Sequence, residues 1–115
     1  MRRDDATLLD IAHAARMVLG FVQGLEKDVF LGDLKTKSAV LYQLLVIGEA
    51  VKRLSFEFRD RHGEIPWSLI TGMRDHLIHG YDIVDWDEVW KTVTIDMSDL
   101  INRIELLLPK EPPDS

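Results

Sequence analysis

The sequence predicts an all-α fold, a helical bundle of four main helices or five. Three observations carry that prediction. Apolar residues recur at three- and four-residue steps along most of the chain. Helix start and stop signals fall between those runs. No alternating apolar and polar run bounded by turn residues is present, so strand signals are missing.

The first helix is expected where Leu8, Ile11, Ala15, Val18, Leu19, Val22 and Leu25 share one stripe. Gly32 and Asp33 then interrupt the pattern, and Asp33 suits an N-cap because its carboxylate can accept from free backbone N–H groups. The second helix carries Val40, Leu44, Ile47, Val51, Leu54 and Phe58 on one stripe, with Leu41, Leu45 and Gly48 on another. Two apolar stripes imply two neighbours, so this helix is expected to be central and to run to His62–Gly63. Within it, Glu49 of "IGEA" either faces solvent between the stripes or is a buried partner for an arginine such as Arg74 or Arg53.

"EIPW" opens a short third helix with Pro66 near the first helical position, where its missing N–H costs nothing. Leu69, Ile70, Met73 and Leu77 mark its core face, and Gly80 stops it after His79. In "DWDE", Asp85 and Glu88 have the spacing of a capping box, with Asp replacing the usual Ser or Thr. The last helix follows, apolar at Trp86, Val89, Trp90, Val93, Met97, Leu100, Ile101, Ile104 and Leu108. Residues 1–108 are thus expected to form one helical domain, and residues 109–115, "PKEPPDS", a disordered tail.

Composition narrows the function classes. A chain of 115 residues with 46% hydrophobic and 30% charged content reads as one folded domain. No apolar run approaches the roughly 20 residues that span a bilayer, so no membrane role is expected. "MRRDDATLLD" lacks the apolar centre of a secretory signal. The absence of cysteine removes disulfides and thiolate metal sites and fits a cytoplasmic location. A net charge of −6 argues against a protein that holds nucleic acid by bulk electrostatics. An RNA partner would require a local basic patch. The densest one is "KRLSFEFRDRH", with Lys52, Arg53, Arg59, Arg61 and His62, diluted by Glu57 and Asp60.

The chemistry concentrates in "GMRDHLIHGYD". At 100° per residue, Asp75 and His79 fall on one outward side of the helix, where a carboxylate could orient the imidazole. Arg74 and His79 lie about 140° apart on an ideal helix, so they converge only if the helix unwinds at Gly80 or a second chain contributes its copy. An arginine fork suits a phosphate. A histidine can take a proton from a ribose 2′-hydroxyl or give one to a leaving 5′-oxygen. The bland reading stays open beside this one: Arg74 pairs with a surface acid, and His79 is a helix-end residue favoured by the dipole. His76 and His79 also form H-x-x-H near Asp75, Asp82 and Asp85, but the spacing supplies no convincing further ligands, so neither metal nor cofactor is expected. His76 reads as a half-buried structural residue, and Trp67, Trp86 and Trp90 as core or interface aromatics, not base-stacking platforms.

The sequence resembles the HepT-like ribonuclease toxins of the HEPN superfamily. "RDHLIHGY" matches their R-x4-H-x-Y motif through Arg74, His79 and Tyr81. "LLDIAHAARMVLGFVQGL", "KTKSAVLYQLLVIGEAVKRLS", "EIPWSLITGMRDHLIHGYDIVDWDEVW" and "TIDMSDLINRIELLL" resemble the family in the same order. The resemblance implies a two-fold homodimer in which the motifs of both chains meet in a cleft. It also implies a metal-independent endoribonuclease, with Arg74 and His79 catalytic and Asp75 supporting. The implied partner is an MntA-type nucleotidyltransferase antitoxin that neutralises the toxin by transferring AMP to Tyr81. Glu49, Lys52 and Arg53 are expected to support RNA or the site's structure, and a dimer cleft combining both Arg74 residues with Lys52 and Arg53 would form a positive funnel. The alternative reading is a non-catalytic helical dimer that docks a nucleotidyltransferase or a nucleotide.

Overall fold

α1 (Arg2–Val22) opens the chain because Leu8, Ile11, Ala12, Ala15, Val18 and Val22 form one fully buried stripe. The computed structural model describes residues 2–80 and 83–108; Met1, Tyr81, Asp82 and the expected tail at 109–115 lie outside them. After α1 the chain turns at Gly24, whose φ of +77° is a conformation that a Cβ disfavours. A short α2 (Lys27–Leu31) follows, which the periodicity did not reveal. Its buried residue is Phe30, whose ring lies 5.0 Å from that of Trp90 and 6.2 Å, edge-on, from that of Trp86. The tryptophans of the last helix therefore pack against the core, as expected of Trp86 and Trp90.

α3 (Leu34–Arg53) begins at Asp33, whose carboxylate accepts from the Thr36 N–H at 3.2 Å and the Thr36 hydroxyl at 2.6 Å. Val40, Leu44, Ile47 and Val51 are buried, and Leu41 and Leu45 are partly buried beside them. The helix packs against α1 on one side and α5 on the other, so the two stripes do serve two neighbours.

The single helix expected to reach His62–Gly63 is in fact two. Leu54 leaves α3 with ψ of 143°, and Ser55 caps a new helix, α4 (Phe56–Arg61). The cause lies far away in sequence: Asp4 at the start of α1 accepts from the Ser55 N–H at 2.9 Å and its hydroxyl at 2.8 Å. Ser55 Oγ in turn accepts from the Phe58 N–H at 3.1 Å. Asp4 is almost completely buried. Burial opposes its ionisation, but the Ser55 hydrogen bonds, aided by the charge of Arg3, outweigh that cost and hold the carboxyl below the usual aspartate range.

α5 (Trp67–His79) begins after Pro66. The buried Trp67 donates its indole N–H to the His62 carbonyl at 3.0 Å, which ties the end of α4 to the start of α5. α6 (Trp86–Lys91) starts at Asp85, which accepts from the Glu88 N–H at 3.2 Å. A π-helical segment at Thr92–Asp96 joins it to α7 (Met97–Leu107) as one continuous rod. Val89, Val93, Met97, Leu100, Ile101 and Ile104 are buried along this rod.

The long helices are ordered α7–α1–α3–α5, in a body measuring 43 × 33 × 20 Å. α5 leans chiefly on α3, leaving a cleft of about 370 Å³ between it and α7, floored by Leu44 and Ile47 and walled by Ile70, Met73, Met97 and Leu100. This geometry corrects two expectations. Leu69, assigned to the core face, overhangs the cleft and is 74% exposed. His76, expected half-buried, is exposed, because α5 is covered along α3 and not on its far side. The all-α bundle of four main helices is otherwise as predicted, with two short helices, α2 and α4, added. No described helix is long and apolar enough to cross a membrane.

Candidate active site

The site is built where α5 lies against α3. Gly48 of α3 sits directly under Arg74: a Cβ at Gly48 would stand 2.2 Å from the Arg74 Cβ and 2.6 Å from its Cγ. These separations are far inside carbon–carbon contact distance, so only glycine lets the Arg74 stem cross α3 here. This residue was not recognised from the sequence as part of the site. The available signal was a glycine inside a helix of strong helix formers, where it costs about 1 kcal/mol relative to alanine and needs a packing reason.

Past Gly48, the guanidinium is held at both ends. Arg74 Nη2 donates to Glu49 Oε2 at 2.6 Å, and Nη1 donates to Asp75 Oδ1 at 2.9 Å. Lys52 Nζ donates to the same Asp75 oxygen at 2.8 Å. The Arg74 side chain is only 21% exposed, and its Nε is buried without an acceptor among the described residues. The hydrogen bond to Asp75 raises the Arg74 pKa; burial opposes this, and the charge of Glu49 adds to it. The Asp75 carboxyl is held below the usual aspartate range by Lys52 first and Arg74 second. Arg74 and Asp75 each hold the other in its charged form.

This network revises several expectations. Asp75 does not orient His79; it is engaged by Lys52 and Arg74 instead. Glu49 is the partner of Arg74, as one reading anticipated, but it is half exposed and not buried. Lys52 supports the site through Asp75, whereas Arg53 reaches out to Asp10 at 3.8 Å. The positive funnel was expected of a dimer cleft, and within one chain the charges around Arg74 balance. Glu49 and Asp75 balance Arg74 and Lys52, and Asp10 offsets Arg53. The reason is geometric: the carboxylates that fix Arg74 also neutralise it.

His79 is the last residue of α5, is exposed, and its side chain makes no hydrogen bond to a described residue. The Gly80 N–H closes the helix on the His76 carbonyl at 2.9 Å, so α5 does not unwind before His79. On a regular helix Arg74 and His79 stay about 140° apart, and one chain does not bring them onto one face. Tyr81 lies outside the described residues. No group of three or more His, Asp or Glu able to hold a metal ion occurs among the described residues.

Fold and site together define a class: a small helical domain presenting a clamped arginine and an exposed helix-end histidine. The chain belongs to the HepT-like ribonuclease family, whose model, "Ribonuclease HepT-like", matches residues 11–107. It is 42% identical over 100 residues to a Thermococcus cleftensis protein named "Probable ribonuclease HepT", covering 87% of this chain and 91% of that one. It is 39% identical over 90 residues to "Putative RNase TTE0752" of Caldanaerobacter subterraneus, covering 78% and 80%. No solved structure matches the chain significantly. The family resemblance carried by "RDHLIHGY" and "IGEA" is therefore correct.

Proposed function

We propose that the protein is the toxin of a toxin–antitoxin pair, a cytoplasmic, metal-independent endoribonuclease that works as a two-fold homodimer. The observation that carries this reading is the clamped Arg74 on an intact α5 that ends in an exposed His79. A guanidinium fixed by Gly48, Asp75 and Glu49 is pre-organised to take a phosphate oxygen, with little rotamer freedom left to lose. Because the two residues diverge on one helix, a second copy supplies the complementary set. One His79 then removes the ribose 2′-hydroxyl proton while the 2′-oxygen attacks phosphorus. The bond to the 5′-oxygen breaks, and the other copy's His79 returns a proton to that leaving oxygen. Arg74 stabilises the charge that builds on the phosphoryl oxygens.

Tyr81 follows His79 by two residues and serves as the regulatory acceptor. Its hydroxyl attacks the α-phosphorus of ATP on an MntA-type nucleotidyltransferase, pyrophosphate leaves, and AMP remains on the tyrosine. The added phosphate brings bulk and negative charge to the site, which repels an RNA backbone.

Cleavage of RNA by the unmodified protein, lost in Arg74→Ala and in His79→Ala, tests the catalytic assignment. If the unmodified dimer leaves RNA intact under conditions where the double variant is equally inert, the non-catalytic docking module replaces it. Intact mass after co-expression with the nucleotidyltransferase tests the regulation: additions of AMP are expected, and their persistence in Tyr81→Phe would exclude Tyr81 as the acceptor.

A further inference from the structure

A residue that must grip a phosphate is found here already gripping two carboxylates, and those carboxylates are not equivalent. Asp75 is next to Arg74 on α5 and is held a second time by Lys52, so its withdrawal breaks two ion pairs. Glu49 belongs to α3 and has a 50% exposed side chain, with one hydrogen bond, to Arg74 Nη2. Rotation about its own side-chain bonds would free that donor and leave the rest of the network intact.

Glu49 also borders a shallow recess of about 280 Å³ lined by Leu45, Val46, Arg53, Arg74 and Ile78. With Glu49 turned away, two guanidinium groups flank this recess, and Leu45, Val46 and Ile78 form its apolar side. Arg53 is available for the purpose, because its pair with Asp10 is long, at 3.8 Å, and both side chains are about half exposed or more.

We propose that this recess is the subsite for one backbone phosphate of the RNA strand, and that Glu49 holds its place on Arg74 until the phosphate displaces it. The assignment rests on the ribonuclease reading above. Exchange replaces one negative group by another on Arg74, so the extra contact with Arg53 decides whether the phosphate stays. Glu49 is thus a resident competitor: an anion that cannot also reach Arg53 gains too little to evict it.

The test is binding of a 2′-O-methyl RNA oligonucleotide, which lacks the attacking hydroxyl, followed by fluorescence anisotropy across a salt series. Glu49→Gln keeps the shape and removes the charge, and folding is checked by circular dichroism. Exposed ion pairs are weak, so the gain in affinity is expected to be about two- to fivefold. Arg53→Gln should weaken binding and flatten the log–log salt slope by about 0.7, the value for one phosphate on a single strand. Unchanged or weaker binding by Glu49→Gln, with wild type binding normally, would overturn the competitor role and make Glu49 a strut for Arg74. An Arg53→Gln salt slope equal to that of wild type would remove the phosphate from the recess. Failure of every form, wild type included, to bind the oligonucleotide would instead reject the ribonuclease reading beneath both.

Discussion

Gly48→Ala separates the packing account of the site from a generic helix-propensity account, because the two predict opposite signs. By propensity alone, alanine inside a helix is favoured over glycine by about 1 kcal/mol. At Gly48, however, the new Cβ would stand 2.2 Å from the Arg74 Cβ. Relaxed carbon contacts need about 3.5–4.0 Å, so the overlap exceeds about 1 Å. The Arg74 Cβ is fixed to the α5 backbone and cannot swing aside, which means α5 must shift away from α3. Overpacking costs about 1–3 kcal/mol and a backbone-anchored overlap this large falls in the upper half of that range, so after the propensity gain the net effect is destabilisation of about 1–2 kcal/mol. For a domain of this size that corresponds to a fall in Tm of about 3–10 °C. Gly20 in α1 is the control: a Cβ there meets nothing within 4 Å, so Gly20→Ala should raise Tm. Thermal unfolding is followed by circular dichroism at matched protomer concentration, since a dimer's Tm depends on it. A displacement of about 1 Å at Arg74 should also reduce cleavage by about a hundredfold. A Gly48→Ala protein as stable and as active as wild type would refute the seat proposed for Arg74.

Arg74→Lys should behave almost as badly as Arg74→Ala, because an ammonium cannot bridge Glu49 and Asp75 with a planar fork; single-turnover cleavage should fall by about 10²–10³-fold in either. His79→Ala should lower the rate by about 10²–10⁴-fold while leaving Tm unchanged, since the side chain is exposed and makes no described contact. Asp4→Ala removes two hydrogen bonds that a buried carboxylate accepts from Ser55, and urea unfolding should register a loss of about 3 kcal/mol. The same carboxyl has a lowered pKa in the folded state, so its contribution is complete above the unfolded value of about 3.9 and disappears as pH falls through the lowered one. Acid titration of stability below about pH 4 should therefore be shallower in Asp4→Asn than in wild type.

Most of the fold could be read from the chain because its signals are local. The caps at Asp33 and Asp85, the stop at Gly80 and the apolar stripes each depend on residues within a few positions. The break at Leu54–Ser55 escaped because its cause is Asp4, 51 residues away, acting on an otherwise continuous helical pattern. α2 escaped because five residues are too few to show a period, and its reason for existing is the Phe30–Trp90 contact made across the fold. The site divides in the same way. Arg74, Asp75 and His79 were found from their spacing and from the family motif, but the partners of Asp75 were not. A helical wheel places Asp75 beside His79, yet it carries no information about Lys52 on α3, which arrives through the packing of α5. Gly48 was read only as part of an apolar stripe, with Leu41 and Leu45, until Arg74 was seen lying across it.

The charge of the molecule gives these supports a common purpose. At −6 overall, with a neutral cluster around Arg74, one chain has no field that would draw in a polyanion from a distance. Productive contact then depends on what the guanidinium can do at short range, where a fixed donor pair is worth more than a mobile charge. Gly48 removes the obstacle beneath Arg74, Asp75 and Lys52 hold one end of its fork, and Glu49 covers the other end. Among the described residues the last of these is held by a single ion pair, so it withdraws at the least cost. An acidic ribonuclease built this way gives up long-range capture and relies on orientation at the phosphate, so its activity should be more sensitive to the placement of Arg74 than to the net charge of its surface.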